Sequence, residues 1–425
     1  MYFNYYYHLS NVPGFIDLLN NNLIEKDKGE KKNTKILNKI MCKNQSYCII
    51  KYDKEILSND LIKIYGVCRS IVVNSKNRIL SFAPPKSIPS DEFIKTNHLD
   101  TTNVNKLIAE EFIEGTMINV FWDPDVGING CWEMATKNEV GANTCFFKNY
   151  KDNKTFRTMF LEAAIENNLI LDLLDKNYSY SFVLQHPFNR IVVPFLKPQL
   201  YLIAIYRKFY WIDRLNNDKM SIQIFPIEIS QVAKYGLLNT TIKFPTKYEF
   251  TSYSDLIKEY ASMNTPYYIV GVVIHNTETG ERCKIRNPVY EQVKQLRGNQ
   301  PKIQFQYISL RTQGKVSEFL NFYPEYKKDF SFFRDTVHLF TNTLYANYKE
   351  CFIKKEKKLS DYSCEYKNHM YEIHKHYLKT KQFITNTFVI NYINKLEPQQ
   401  LMFSLNYQMR KKNIDTIYSD HNSYI

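Results

Sequence analysis

The feature that most constrains the fold is a change of hydrophobic pattern near residue 310. From Tyr47 to about Val273 the apolar residues fall mainly in short runs rich in β-branched side chains, a pattern that predicts strands joined by polar turns. After Gly314 the sequence contains no glycine, and apolar residues recur at helical spacing over 330–348 and 362–385. We therefore predict an α+β fold, in which a core of antiparallel sheets is followed by an all-helical C-terminal domain.

The same pattern divides the chain into three predicted parts. An N-terminal helical or loop extension covers residues 1–46, the sheet domain covers 47–305 and the helical domain covers 310–425. In the extension, a short helix is predicted over 13–24 and a charged loop over 26–32. The strands of the sheet domain are predicted at 48–52, 70–73, 78–82, 117–122, 131–136, 179–185, 190–194, 201–206, 267–274 and 281–285. Its helices are predicted at 156–174 and 254–261.

The charge balance favours a polyanionic partner. The 425 residues include 56 Lys and Arg against 43 Asp and Glu, which gives a formal net charge of +13. A basic balance of this size favours nucleic acid as the partner, although general lysine richness fits the charge alone equally well. The sequence therefore predicts RNA or DNA binding without locating it.

Cysteine usage and hydropathy indicate the compartment. None of the eight cysteines forms a C-x-x-C pair with nearby histidines, so a structural zinc site is not predicted. The thiols are those of a reducing compartment. The N-terminus lacks the basic and apolar regions of a signal peptide, and no apolar run is long enough to span a bilayer. We predict a soluble, intracellular and cytoplasmic protein with no membrane contact, located in the host cytoplasm or the virion if it is viral.

The stretch 110–120 places an acidic residue and a glycine between two apolar runs. Glu114, Gly115 and Thr116 predict a tight turn between two strands. Phe112 lies two residues before the acid. Taken alone, this turn would fit many folds, so its meaning depends on the segments around it.

Three segments place a cation close to the end of a predicted strand. Arg69 lies beside the strand 70–73, Lys86 ends a Pro-Pro-Lys segment, and Lys137 follows the strand 131–136. A guanidinium group matches phosphate oxygens in a fork geometry, which suits Arg69 to phosphate contact. A strand-edge arginine and a solvated turn at Lys137 are the structural alternatives.

Two later segments add polar and cationic positions. Gln185 and Arg190 lie in the segment Gln185-His186-Pro187-Phe188-Asn189-Arg190-Ile191-Val192. In the strand 281–285 and just beyond it, period two places Arg282, Lys284 and Arg286 on one face, where they could meet a triphosphate or an RNA phosphate. Exposed strand charges are the alternative interpretation.

Taken in order, these motifs resemble the adenylyltransferase domain of the RNA ligase family of bacteriophage T4, first type, which has a helical C-terminal domain and relatives in large DNA viruses. The resemblance covers roughly residues 47–298. It implies a nucleotidyltransferase core (an ATP-grasp-like ligase), ATP and Mg²⁺ as cofactors if the protein is active, and RNA as partner; a protein partner is also possible. The positions that it implies for nucleotide or phosphate binding are Arg69, Glu114, Gly115, Lys137, Gln185, Arg190, Lys284 and Arg286.

The chain departs from the family pattern at the positions that carry the chemistry. Phe112 stands where the family has its nucleophilic lysine, and a phenyl ring has no lone pair with which to attack the α-phosphorus of ATP. Gln185 and Val270 fall where the family carries glutamates. An amide is a weaker ligand than a carboxylate, and an apolar side chain binds no metal. We assign no metal ligand, and we predict that ordinary lysyl-adenylate formation is lost.

Two hypotheses follow from this pattern. In the first, the protein is an RNA ligase in end joining or repair, with an unrecognised nucleophile or acting on preadenylated ends. In the second, it is a degenerate ligase-fold protein that binds RNA or a protein partner. The basic helices of the C-terminal domain could hold RNA, or their lysines could simply form a solvated face.

Overall fold

The structure is a computed structural model that describes residues 3–20, 36–42, 46–99, 104–146, 154–213, 219–232 and 236–412. It forms two compact units, Met1–Gln292 and Val293–Ile425. This division lies upstream of the change of pattern that the sequence predicts near residue 310. The predicted loop at 26–32 lies outside the described residues.

The first unit contains three antiparallel sheets. The strands are β1 (Tyr7–His8), β2 (Leu37–Cys42), β3 (Tyr47–Tyr52), β4 (Ile71–Asn74), β5 (Ile79–Phe82), β6 (Leu107–Glu111), β7 (Thr116–Asp123), β8 (Cys131–Ala135), β9 (Tyr178–Gln185), β10 (Gln199–Asp213), β11 (Lys219–Ile227), β12 (Lys247–Tyr248), β13 (Gly271–Asn276) and β14 (Arg282–Arg286). The first sheet has the order β1-β11-β10-β9-β7-β8, the second β12-β6-β13-β14 and the third β2-β3-β4-β5. All paired neighbours run antiparallel.

Helices cover the sheets of the first unit. They are α1 (Phe15–Asn20), α2 (Asn59–Tyr65), α3 (Ser90–Thr96), α4 (Phe156–Glu166), α5 (Ile229–Val232) and α6 (Tyr253–Tyr260), and α7 (Pro288–Arg297) crosses the division between the units. Apolar side chains of α4, such as Phe160, pack with Phe182 of β9 in one core, and Phe93 of α3 packs with Ile274 of β13 in another. Burial of these apolar faces is the main force that holds the helices on the sheets.

The N-terminal residues belong to the core of the first unit. Tyr7 pairs with Ile224, so that β1 extends the edge of the first sheet. Leu9 and Phe15 are fully buried in the core beneath the third sheet. The separate extension predicted over 1–46 is therefore not what the described residues form. A single sequence could not predict this placement, because the pairing partner lies more than 200 residues away.

Two predicted elements of the first unit differ in the structure. The β-branched run 190–194 forms no strand, because the backbone N–H groups of Val192 and Val193 donate to the Glu114 carboxylate instead of to a neighbouring strand. The helix predicted over 156–174 ends at Glu166, and Asn168 then adopts a left-handed φ of 54°. Local pattern predicted both segments wrongly, since contacts outside each segment decide its conformation.

The second unit is helical throughout its described residues, 293–412. Its helices are α8 (Ile303–Thr312), α9 (Val316–Phe322), α10 (Lys327–Tyr348), α11 (Cys364–Thr380), α12 (Asn386–Lys395) and α13 (Pro398–Leu405). His369 of α11 forms hydrogen bonds with Tyr392 Oη (2.9 Å) and Ser404 Oγ (2.8 Å), which joins three helices through one buried side chain. The predicted α+β class, with antiparallel sheets followed by a helical C-terminal part, is confirmed. No helix within the described ranges combines the length and the apolar character needed to cross a membrane.

Candidate nucleotide and phosphate site

The alternating cations of β14 face Phe112. The ammonium nitrogen of Lys284 lies 4.3 Å from the centroid of the Phe112 ring, and the guanidinium carbon of Arg286 lies 5.9 Å from it. Register places Lys284 opposite Val273 and Val273 opposite Glu110, so that the strand pairing of the second sheet fixes this arrangement. The prediction that period two aligns these cations is therefore matched by the geometry.

Phe112 and Lys284 line a cavity of about 190 Å³, here called the cation cavity. Arg69, immediately before β4, also lines it, and its Nη1 donates to the Pro84 carbonyl over 3.3 Å. Gly115 and Arg282 complete the part of the wall that concerns phosphate binding. The third sheet thus supplies Arg69 and the second sheet supplies the remaining cations of the wall.

The cations of the site disfavour one another's charged forms. Burial, followed by the charges of Arg282, Arg69, Arg286 and Lys86, lowers the pKa of Lys284 to about 6. Burial and the charge of Arg282 lower the pKa of Arg69 to about 10. A group of cations held together at this cost is stabilised when a polyanion binds.

Lys86 and Lys137 extend the same positive field. Burial and the nearby Arg69 lower the pKa of Lys86, and the same two causes, with further lysines, lower the pKa of Lys137 to about 8. Lys137 follows β8 of the first sheet, and its ammonium nitrogen lies 5.1 Å from the Tyr52 ring centroid. The field of the site therefore receives contributions from all three sheets.

Arg282 is the clearest sign that this site takes a ligand. Its side chain is only 8% exposed, and within the described part of the chain its Nε has no hydrogen-bond partner. It lines both the cation cavity and a neighbouring one. A buried guanidinium N–H without a partner costs folding free energy, and an anionic oxygen in the cavity would satisfy it.

The neighbouring cavity, here called the aromatic cavity, has a volume of about 310 Å³. Tyr5, Tyr7 and Tyr206 line it, and it shares Glu110 and His275 with the cation cavity. Burial and the positive charges of Arg282 and Lys284 lower the pKa of His275 to about 3, so its imidazole is neutral at pH 7. Burial raises the pKa of Glu110, whose Oε2 lies 3.5 Å from His275 Nε2.

The turn Glu114-Gly115 holds the backbone beside the cavity. Glu114 is buried, and its Oε1 accepts hydrogen bonds from the N–H groups of Val192 (2.9 Å) and Val193 (3.1 Å). Gly115 has φ of +146°, and a Cβ at this position would lie 2.5 Å from the carbonyl oxygen of Leu184. Glycine is required because the turn lies directly against β9. Glu114 thus has a structural partner in the loop 186–194 and does not line the cation cavity.

Gln185 and Arg190 also serve this loop. The Gln185 side-chain amide donates to the Glu114 carbonyl over 3.0 Å, and Arg190 Nε donates to the Val192 carbonyl over 3.0 Å. Asn189 Nδ2 donates to Thr116 Oγ1 over 2.8 Å, which joins the loop to the start of β7. Of the positions that the sequence suggests for nucleotide binding, Arg69, Gly115 and Lys284 line one cavity, whereas Glu114, Gln185 and Arg190 support its wall.

Val270 contributes no polar group to the site. Its side chain is buried, and its carbonyl accepts a hydrogen bond from the Asn287 N–H over 3.0 Å. Within the described ranges, no group of three or more His, Cys, Asp or Glu side chains is arranged to hold a metal ion. Glu110 and Glu111 are the two carboxylates that line the cation cavity.

His275, Glu110 and the tyrosines of the aromatic cavity were not assigned to the site from the sequence. His275 could have been found, since alternation from Val273 along β13 places it on the same face and pairs it with Arg282. The aromatic positions could not, because β1 reaches the site only through its pairing with β11.

Comparison with known proteins gives two viral relatives. No family model matches the chain. Over 306 residues the chain is 23% identical to a protein named immediate-early protein ICP-46 homolog of invertebrate iridescent virus 6, a match that covers 67% of this chain and 62% of that protein. Over 101 residues it is 29% identical to an RNA ligase of Rhodothermus phage RM378, and this match covers 22% of each chain. The matched region thus spans less than two thirds of either relative.

Among solved structures, the similar chains include RNA ligases. An archaeal ATP-dependent RNA ligase is 11% identical, with 67% of this chain and 65% of that chain covered and a TM-score of 0.35. A Naegleria gruberi RNA ligase variant with ATP and manganese is 13% identical, with 48% and 54% covered and a TM-score of 0.31. At TM-scores this low, neither structure identifies the fold or the function of this chain.

Proposed function

We propose that this protein is an RNA ligase-like protein of the nucleotidyltransferase fold, whose cation cavity binds the phosphates of ATP and of an RNA end. The observation that carries the proposal is Arg282, a buried guanidinium whose Nε lacks a hydrogen-bond partner within the described residues. Its position between two cavities suits a phosphate in the cation cavity and the remainder of a nucleotide in the aromatic one. The phage RNA ligase among the relatives points to the same function.

An RNA strand would bind at the exposed rim of the cation cavity. Lys86 is exposed, and the Arg286 side chain is 51% exposed and lies 3.3 Å from Glu291. Partly exposed cations of this kind contact backbone phosphates without reading sequence. Kinship with the first type of bacteriophage T4 RNA ligase remains part of the proposal and rests on the order of the sequence motifs.

The residues of the site fit a nucleotide better than a resident metal. A triphosphate would meet Arg69, Arg282 and Lys284, whereas Val270 and Gln185 stand where the family carries carboxylates. A magnesium ion would enter with ATP as part of the substrate complex, where it neutralises phosphate charge. The cations of this chain would bind and orient the triphosphate, and Glu114 would hold the wall against which it lies.

The test is binding of ATP and RNA to the full-length Arg282→Met variant, measured by calorimetry and by fluorescence anisotropy. A hydrogen bond to a charged group contributes about 1.5–3 kcal/mol, so we expect ATP to bind about 10- to 150-fold more weakly. Lys106→Met is the matched control, because Lys106 pairs with Glu278 outside the cavity. If both variants bind ATP as tightly as the natural protein, the cation cavity is not the nucleotide site.

A binding-only role is the second candidate function, and Phe112 favours it. With a phenyl group at the position of the family's nucleophile, the cavity could hold a nucleotide or an RNA end without reacting. Both candidates predict that RNA affinity falls steeply as salt rises, because phosphate contacts release counterions. RNA binding that is independent of salt would contradict both.

A further inference from the structure

We infer that Lys284 supplies the amine that Phe112 lacks, and that it forms a covalent phosphoramidate with AMP. The inference rests on the proposed binding of ATP in the cation cavity. It assigns a nucleophile to a strand other than the one that carries the family's lysine. The two positions are 172 residues apart in the sequence, but their side chains are in contact.

The geometry brings the Lys284 amine to the position that matters. Its nitrogen lies 4.3 Å from the centroid of the Phe112 ring, above the residue that replaces the nucleophile. It lines the same cavity as Arg69, Gly115 and Arg282, so a triphosphate held by the two arginines would present its phosphorus atoms to it. Lys284 is also partly exposed, which leaves the nitrogen open to a ligand in the cavity.

The environment of Lys284 favours the form that can react. A lysine attacks phosphorus only as the neutral amine, and its ordinary pKa keeps it protonated at pH 7. Burial and the neighbouring arginines lower its pKa to about 6. The charged and titratable groups that surround it are Arg69, Lys86, Glu110, Glu111, His275, Arg282 and Arg286.

The proposed step balances without a further reactant. The lone pair of the Lys284 nitrogen attacks the α-phosphorus of ATP, and a P–N bond forms. The bond between the α-phosphorus and the bridging oxygen breaks, and pyrophosphate leaves with that electron pair. The nitrogen then loses one proton to water. Phe112 would act as an apolar wall that keeps the amine desolvated, and it takes no part in bonding.

The test is incubation of the full-length protein with α-³²P-labelled ATP and MgCl₂, followed by a denaturing gel and mass-spectrometric mapping. We expect a labelled band that resists denaturation and an AMP adduct on the peptide that contains Lys284. Labelling should rise with pH, with a midpoint near 6, and level off by about pH 8, as a lysine of pKa about 6 requires. An unperturbed lysine would still gain reactivity above pH 9.

Two variants separate the inference from its alternatives. Lys284→Arg keeps a cation in the cavity but has no neutral amine at pH 7, so the label should be lost while ATP binding persists. Lys106→Arg alters the lysine that most closely precedes Phe112 in the sequence and should leave the label unchanged. Label on any other residue, or an equally labelled Lys284→Arg, overturns the inference. Tight ATP binding with no label in the natural protein overturns it too but leaves the proposed binding function intact, whereas loss of both refutes the two together.

Discussion

Replacement of Glu114 tests whether this acid supports the fold or binds the nucleotide. In the structure its carboxylate accepts hydrogen bonds from the N–H groups of Val192 and Val193, at 2.9 and 3.1 Å. Glu114→Ala removes both acceptors, and the loop 186–194 then loses its attachment to the turn at Gly115. We therefore expect a loss of stability that is independent of any ligand.

The size of the loss follows from the burial of the two donors. Val192 is fully buried, so its unsatisfied N–H costs about 1–3 kcal/mol, and Val193 is partly exposed, so water can replace part of its bond. Together they predict a loss of about 2–4 kcal/mol in unfolding free energy. Glu114→Gln should cost less than about 1 kcal/mol, because the amide oxygen still accepts a bond and no charge is buried. Burial already raises the pKa of Glu114, a sign that its charge is costly.

Urea unfolding and amide hydrogen exchange of the full-length protein provide the measurement. For Glu114→Ala, we expect a lower midpoint and faster exchange at Val192 and Val193, with the rest of β9 less affected. Glu111→Ala is the control, since its carboxylate accepts only an exposed bond of 3.2 Å from Thr246 Oγ1. If Glu114→Ala unfolds like the control and these two amides keep their protection, the structural role assigned to Glu114 is wrong.

Three further predictions concern other parts of the molecule. Gly271→Ala should cost about 2–4 kcal/mol in thermal unfolding, because φ is +133° and the added Cβ would lie 2.9 Å from Arg286 Cα, whereas Gly127→Ala, in open space at φ +63°, should cost about 1 kcal/mol. Lys284→Met should raise the melting temperature at pH 7, and the gain should shrink as pH rises toward 10, because the folded state holds Lys284 deprotonated above about pH 6 and the unfolded state does not. His369 has a pKa lowered by burial, so helical-unit stability should fall as pH drops below about 6.5, and His369→Gln should flatten that dependence in melts from pH 7 to 5.

The strands and their pairing could be predicted from sequence wherever local pattern decides them. The hairpin of β4 and β5 follows from β-branched runs on either side of a polar turn, and β13 and β14 follow in the same way. Period two alone also predicts that Lys284 and Arg286 share a face. These features depend on residues close together in the chain, where alternation and turn chemistry are sufficient.

The remaining features depend on contacts between distant segments. The run 190–194 has strand composition, but Glu114, more than 70 residues earlier, takes its N–H groups. The division of the suggested site residues into a cavity wall and its support likewise depends on where the loop 186–194 lies. The low pKa of Lys284 arises from Arg69 on another sheet as well as from its own strand. No local pattern contains this information.

The distribution of the motif residues separates the fold from the chemistry. Glu114, Gln185 and Arg190 form hydrogen bonds that hold the turn and the loop whether or not a nucleotide binds. A sequence could therefore match the ligase pattern at these positions for structural reasons alone. The residues that decide the chemistry are those of the cavity itself, where Phe112 removes one amine and Lys284 places another against the same ring. Whether this protein ligates or only binds depends on the protonation and reach of that single amine, and the motif match cannot answer it.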